Sequence, residues 1–429
     1  MKFPATSLLL ATLASCGTLA TSSNKVSYDG WQVLRVKAHD GLAKLHDKLS
    51  SISFDDWGEE AKHLDIALSP EALPAFEKLN LDYECMHQNL GQSIAAESEV
   101  KNVYKRQVDD LAWFDSYHPF ADHQAYWDDL QRAYPNSEKI SSGTSYEGRD
   151  IFGLHLWGSS GPGKPAVLWH GTVHAREWIS NMVVEYLTLQ LINAYKANDT
   201  LVRSLLDRYD FYILPFVNPD GFVYSQEVER LWRKNRQPGG GNSTCFGRDI
   251  NRQWPFQWNA NPLGASPNPC SQTYRGDSPS DGPESQGLVA FVNNLRDTVG
   301  IKLFIDWHSY GQYIMFPYGY NCTVIPEEAG ELTNMAALTS TAIRDVNGVT
   351  FTYGPACPVL YPTTGGSRDY VYAEGKADWS YTIELRDTGT FGFVLPPEQI
   401  RPAAEEQWQG QRVMLSLLDE FFFDGEGPA

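Results

Sequence analysis

The first grouping able to do chemistry is His174 and Glu177, three positions apart in His170-Gly171-Thr172-Val173-His174-Ala175-Arg176-Glu177-Trp178. That spacing lets one turn of loop or helix aim an imidazole and a carboxylate at a common point. Both are ordinary zinc ligands, and a catalytic zinc centre takes three protein ligands and keeps a position for water. The run follows the apolar stretch Ala166-Val167-Leu168-Trp169, so the pair stands at a strand end. Ile305-Asp306-Trp307-His308-Ser309-Tyr310 places another histidine, His308, directly after an apolar strand. His170 shares the strand-end placement, whereas His155 lies inside a strand-like run. Alone, His-x-x-Glu is a weak sign of a metal.

Three other chemistries are set aside. Zinc deaminases use His-x-Glu with a later Pro-Cys-x-x-Cys; here the spacing is longer, and Pro269-Cys270 has no second cysteine three residues on. Asp387-Thr388-Gly389 matches an aspartic-protease fingerprint, but that reaction needs two such carboxylates and the motif occurs once. It reads as a loop. No Gly-x-Ser-x-Gly elbow occurs.

Holding such groups together requires strand ends that meet. Nearly all-apolar runs occur at Ala166–Trp169, Phe211–Leu214, Ile301–Ile305 and Tyr381–Leu385. Helical patterns lie between them at Asn181–Ala197, Glu284–Val299 and Glu327–Val346. This alternation implies an α/β fold, a mixed, mostly parallel sheet with helices on both faces, and active-site residues in loops beyond the strands' carboxyl ends. Residues 24–104 read differently, with short alternating runs at Trp31–Val36, His63–Leu68 and Leu81–Cys85. A helix starting at Ser69-Pro70-Glu71 is expected, with Ser69 as its cap. The stretch reads as a small antiparallel α+β module with no concentration of catalytic residue types. Lys105-Arg106 follows it and reads as a processing site.

The 34 basic and 53 acidic side chains give −19 at pH 7, which argues against nucleic acid or an anionic membrane as partner. Aromatic residues at 13% supply a large core. Lys2, an apolar run from Leu8 to Leu19 and a small-residue exit near Ala20 form a secretory signal, too short to span a bilayer. Leu13-Ala14-Ser15-Cys16 also fits a lipoprotein signal. Sequons at Asn198, Asn242 and Asn321 agree with a secreted, glycosylated chain. Cys16 leaves with the signal and Cys85 stands apart. Cys245, Cys270, Cys322 and Cys357 allow three pairings, of which the sequential one, Cys245–Cys270 and Cys322–Cys357, closes local loops and is expected in an oxidising compartment.

Five motifs in order then resemble a known family: His174-Ala175-Arg176-Glu177-Trp178, Arg230-Leu231-Trp232-Arg233-Lys234, Asp249-Ile250-Asn251-Arg252, His308-Ser309-Tyr310 and Glu384-Leu385-Arg386-Asp387-Thr388-Gly389. They resemble the zinc carboxypeptidases of the pancreatic A/B type over about residues 113–420. The module before them resembles that family's activation propeptide. With the signal read at 1–20, the resemblance implies a propeptide at 21–106 and a catalytic domain at 107–429. It implies one Zn²⁺ per chain on His174, Glu177 and His308, with Glu384 as general base and Arg233 on the scissile carbonyl. Asn251 and Arg252 would clamp the substrate's terminal carboxylate, Tyr361 would close over it, and Arg176 would add a cation in the groove. Asp249 would orient His174. Substrates would be peptide or protein C-termini, the enzyme a monomer, and its activator a protease cutting near Lys105-Arg106.

Taken singly, Arg233 and Arg252 would be solvated charges and Tyr361 an ordinary core or surface tyrosine. Glu384 in an apolar strand is harder to dismiss, because an unpartnered buried carboxylate is costly. Gly365-Gly366-Ser367-Arg368-Asp369 resembles the segment lining the family's side-chain pocket. There, hydrophobic-selective members carry an apolar residue and basic-selective members an Asp where this chain has Arg368. A buried guanidinium would favour C-terminal Glu or Asp. If Arg368 turns to solvent or pairs with Asp369, the pocket stays apolar. Two other readings are a catalytically silent, peptide-binding homologue and a zinc amidohydrolase of non-protein substrates. The first would lose Glu384 or a zinc ligand, and none is lost; the second would not need Asn251, Arg252 and Tyr361.

Overall fold

A computed structural model describes residues 25–60, 62–99, 104–241 and 243–420. The signal at 1–20, Cys16 and the Asn242 sequon lie outside the described residues. Among the described residues, twelve strands form two sheets. The small module contributes β1 (Gln32–Lys37), β2 (Asp55–Glu60), β3 (His63–Leu68) and β4 (Tyr83–His87). The larger part contributes β5 (Ser137–Thr144), β6 (Asp150–Leu156), β7 (Ala166–Gly171) and β8 (Asp210–Leu214), followed by β9 (Ile301–Ser309), β10 (Tyr313–Phe316), β11 (Thr352–Pro355) and β12 (Trp379–Leu385).

The large sheet runs β11-β10-β12-β9-β7-β8-β6-β5. Its centre, β12, β9, β7 and β8, is parallel, and antiparallel pairing enters with β10 on one side and with β6 and β5 on the other. Side chains alternate across a strand, and both faces of β7 are apolar. Val167 and Trp169 pack with Ile305, Trp307 and Ile383 under the helices Trp178–Lys196, Ala329–Asn347 and Ile400–Ser416. Ala166 and Leu168 pack with Phe304 under the helix Pro283–Thr298 on the other face. The three expected helices thus form, each within a few residues of its sequence bounds.

The small module is a β2-β3-β1-β4 antiparallel sheet. Leu64, Ile66 and Leu68 of β3 join Leu34 and Val36 of β1 in the module's own core. The opposite face, with Val33, Ala67 and Trp57, packs against Leu231, Phe393 and Val394 of the larger part. The helix expected from Ser69 begins later in the chain. Ser69 does not start a helix at Pro70; its carbonyl and hydroxyl hold the Ala72 amide in a turn at 3.0 and 3.3 Å. The helix runs Leu73–Glu77 instead. Pro74 is the reason, since proline lacks an N–H and is tolerated only in a helix's first turn.

Cys245–Cys270 and Cys322–Cys357 are bridged, and Cys85 on β4 is free and exposed. Asn198 is exposed and Asn321 half-buried. No helix among the described residues is long and apolar enough to cross a membrane.

Candidate active site

Three neighbouring strands deliver the central groups. Beyond β7, Thr172 takes a left-handed φ of 55° and the chain turns through His174 to Glu177, which directly precedes the helix Trp178–Lys196. Strand β9 carries His308. In the parallel β9–β12 pair, Glu384 is the register partner of His308. Adjacent strands are ~4.8 Å apart, so this register alone brings Glu384 to the cluster.

His174, Glu177 and His308 are buried and converge. His174 Nδ1 lies 2.7 Å from Glu177 Oε1, His308 Nδ1 lies 3.0 Å from Glu177 Oε2, and the two Nδ1 atoms are 3.1 Å apart. The opposite ring nitrogens point to carboxylates: His174 Nε2 is 3.2 Å from Asp249 Oδ1, and His308 Nε2 is 3.0 Å from Asp306 Oδ2. Carboxylates there fix each tautomer with the proton on Nε2 and leave the Nδ1 lone pairs facing one another. Two facing lone pairs and an anionic carboxylate call for a cation between them. All three ligand atoms lie within 4.8 Å of one another. The donor set, two imidazoles and a carboxylate, fits zinc.

The surrounding charges are arranged about this cluster. Asp249 caps the short helical turn Ile250–Arg252, accepting from the Asn251 amide at 2.9 Å, and its Oδ2 pairs with Arg233 at 2.8 Å. Burial disfavours its charge, but Arg233 and His174 prevail and hold its carboxyl well below the usual range. Glu177 behaves alike, held low against burial by His174 and His308. Glu384 is the exception. Burial pushes its carboxyl up to about 8, against the pull of His308.

One cleft of about 270 Å³ gathers Glu384, Arg233, Asn251, Arg252, Tyr361, Arg176 and Arg368. Burial raises the Tyr361 phenol. Arg252 Nη1 donates to the Asn251 carbonyl at 3.0 Å, and Asn251 Oδ1 accepts from the Ser367 amide at 2.8 Å. Arg176 is brought down to about 10 by burial and by Arg233. Its guanidinium covers the Phe393 ring at 4.0 Å and donates to the Asp56 carbonyl of the small module at 3.0 Å. Asp56, Trp57, His63 and Asp65 of that module line the same cleft.

Arg368 is 6% exposed and so is not turned to solvent. It does pair with Asp369, the arrangement expected to leave the pocket apolar: its Nε lies 3.3 Å from Asp369 Oδ1, while its Nη1 donates to Thr382 Oγ1 at 3.1 Å. The Asp369 carboxylate also accepts from the amides of Gly319 (2.8 Å) and Tyr320 (3.2 Å). Gly319 makes room for the guanidinium, because a Cβ there would sit 2.6 Å from Arg368 Nη2.

Asp306 was not singled out by sequence reasoning. It stands two residues before His308 on β9, and the strand period places both on one face. His170, a strand-end histidine like His308, is not one of the three converging ligands, and His155 bridges Glu138 and Asp210 at 2.9 and 3.0 Å. The Asp387 carboxylate closes a loop by accepting from the amides of Gly389, Phe391 and Gly392.

Comparison with known proteins agrees with this geometry. The zinc carboxypeptidase family of peptidases matches residues 123–410. A metallocarboxypeptidase A-like protein of Trichophyton verrucosum is 43% identical, covering 96% of this chain and 99% of that protein. Zinc carboxypeptidase A 1 of Anopheles gambiae is 35% identical over 92% of this chain and 90% of its own. Among solved structures, thrombin activatable fibrinolysis inhibitor superposes with a TM-score of 0.82 at 27% identity, covering 90% of this chain and 98% of that one. Carboxypeptidase A from Helicoverpa armigera gives 0.78 at 26% identity, covering 92% and 98%. Fold and site define a metal-dependent peptidase, and the chain belongs to the zinc carboxypeptidase family. It is a metallocarboxypeptidase acting on peptide C-termini.

Proposed function

We propose that the chain is the precursor of a secreted, monomeric zinc exopeptidase that removes single C-terminal residues and prefers acidic ones. The observation that carries this reading is the buried His174–Glu177–His308 cluster with Glu384 beside it and a cationic clamp in the same cleft. His174, Glu177 and His308 would hold one zinc ion. When bound, zinc supplies Lewis acidity, easing ionisation of water and polarising a carbonyl.

The chain's own groups do the rest. Arg252 and Asn251 bind the substrate's terminal carboxylate, and a guanidinium–carboxylate fork confines cleavage to chain ends. Arg233 lies over the scissile carbonyl and stabilises charge developing on its oxygen. Glu384 takes the proton from the attacking water, and that proton is available to the departing amine. Its shielded position strengthens it as a base, because burial disfavours its charged form. Tyr361 closes the cleft over bound substrate. Asp249 holds both His174 and Arg233, so ligand and oxyanion site share one support.

Arg368 sets the side-chain preference. Although Arg368 is paired with Asp369, its fork gives Nε to Asp369 and Nη1 to Thr382, and its remaining N–H groups are those that would meet the side chain of a C-terminal Glu or Asp. Residues 1–20 direct export, and residues 21–106 form the propeptide released by cleavage after Arg106, giving Gln107 as the mature N-terminus. Glycans are proposed at Asn198, Asn242 and Asn321. The test is hydrolysis of peptides ending in Glu, Phe and Lys by the processed enzyme, with and without a chelator. Expected are chelator-sensitive release of single residues and fastest cleavage of Glu. Equal or faster release of Phe would remove the acidic preference, and chelator-resistant hydrolysis would remove the metal.

A further inference from the structure

We propose that His170 is a positioning residue for the metal centre, acting on His308 through Asp306. The inference rests on the zinc reading of the His174–Glu177–His308 cluster.

His170 and Asp306 are register partners on the parallel strands β7 and β9. Register partners send their side chains from the same face of a sheet, with backbones ~4.8 Å apart. Both residues are 0% exposed. Neither ring nitrogen of His170 has a hydrogen-bond partner, and neither has Asp306 Oδ1. Buried polar groups are rarely left unpaired. Here the unpaired ring and the unpaired carboxylate oxygen belong to residues at one register position of adjacent strands.

The other oxygen of Asp306 shows what that junction controls. Oδ2 faces His308 Nε2 at 3.0 Å and accepts from the Ser367 hydroxyl. A carboxylate on the far nitrogen of a ligand histidine sets its tautomer and ring orientation. Asp306 can do this only if its own plane is fixed, and Ser367 fixes one oxygen. His170 fixes the other. Aromatic walls hold the His170 ring, with Phe304 edge-on at 4.9 Å and Trp254 at 6.3 Å. Ser367 also adjoins Arg368 and donates its amide to Asn251 at 2.8 Å, so the same junction ties the metal ligand to the substrate-binding wall.

The experiment measures zinc affinity of the full chain by competition with a chromogenic chelator, for wild type, His170→Phe, His170→Asn, Asp306→Ala and His170→Phe/Asp306→Ala. Asp306→Ala and His170→Phe are each expected to weaken zinc binding ~10–100-fold. His170→Asn keeps an N–H donor and should stay close to wild type. The double variant should bind no more weakly than Asp306→Ala alone, because His170 acts only through that carboxylate. If His170→Phe does not fold, His170→Ala is read in its place. Unchanged affinity in both His170 variants, or losses that multiply in the double variant, would overturn the inference alone. A wild-type chain that binds no zinc overturns the metal centre, and this inference with it.

Discussion

Glu384 occupies a position where an apolar strand has no structural use for charge. It is flanked by Ile383 and Leu385, both fully buried, and burial pushes its carboxyl up to about 8. A carboxylate kept there at that cost is a base in waiting. Replacing it with Gln keeps the shape and removes the base, so Glu384→Gln should lower kcat by ~10²–10⁴-fold. KM and bound zinc should change little; a variant retaining near wild-type kcat would assign the proton transfer elsewhere. Arg368 is tested by Arg368→Met, which is similar in length and uncharged. The ratio of kcat/KM for Glu-ended over Phe-ended peptides should fall by ~10-fold or more, since an unpaired acidic side chain is then desolvated. At this scale the ligand trio was legible because His174, Glu177 and His308 sit at strand ends with simple spacing. Asp306 was not singled out and His170 stood out only for its strand-end placement, because the lateral pairing that joins them is written in no local pattern.

Elements with one strong period were legible, and those shaped by their neighbours were not. Strands β7, β8, β9 and β12 are buried on both faces and read as apolar runs. Strand β2, Asp55–Glu60, is largely acidic and forms because β3 pairs with it and Trp57 packs into the docking face. The segment before β5 was equally silent. Its helix Phe120–Ala133 and the turn Leu111–Asp115 are tied down by buried Glu185, which accepts from Trp113, Trp127 and His123 at 2.8–2.9 Å. His118 stacks on Trp113 at 3.6 Å, and burial together with His123 brings its pKa down to about 3. Unfolded, the ring titrates near ~6.5. Between these values the unfolded chain binds the extra proton, so stability is full above ~6.5 and is lost as pH falls toward 3. His118→Gln should therefore flatten the fall of Tm with pH across that window. An unchanged slope would place the acid sensitivity in another group.

At the scale of the whole molecule, the small module is held by contacts of its own besides the peptide link at Arg106. Glu97 and Arg230 are paired in bidentate fashion across the boundary at 2.6 and 2.7 Å, both buried. His87 meets the Phe391 carbonyl at 2.8 Å, and Tyr310 donates to Asp65 at 2.6 Å. An apolar patch with Val33, Trp57 and Phe393 is shared. None of these contacts runs through the link at Arg106, so hydrolysis there would leave each of them, and the Arg176–Asp56 bond, in place. Activity should then appear in two steps. The cut chain stays silent at high concentration and gains activity on dilution, as the module leaves by mass action. Glu97→Ala, which strands Arg230, should shift that gain to higher protein concentration. The measurement is peptide hydrolysis by cut wild-type and Glu97→Ala chains across a dilution series. Full activity at the moment of cleavage, independent of dilution in both proteins, would show that the peptide link alone holds the module in place.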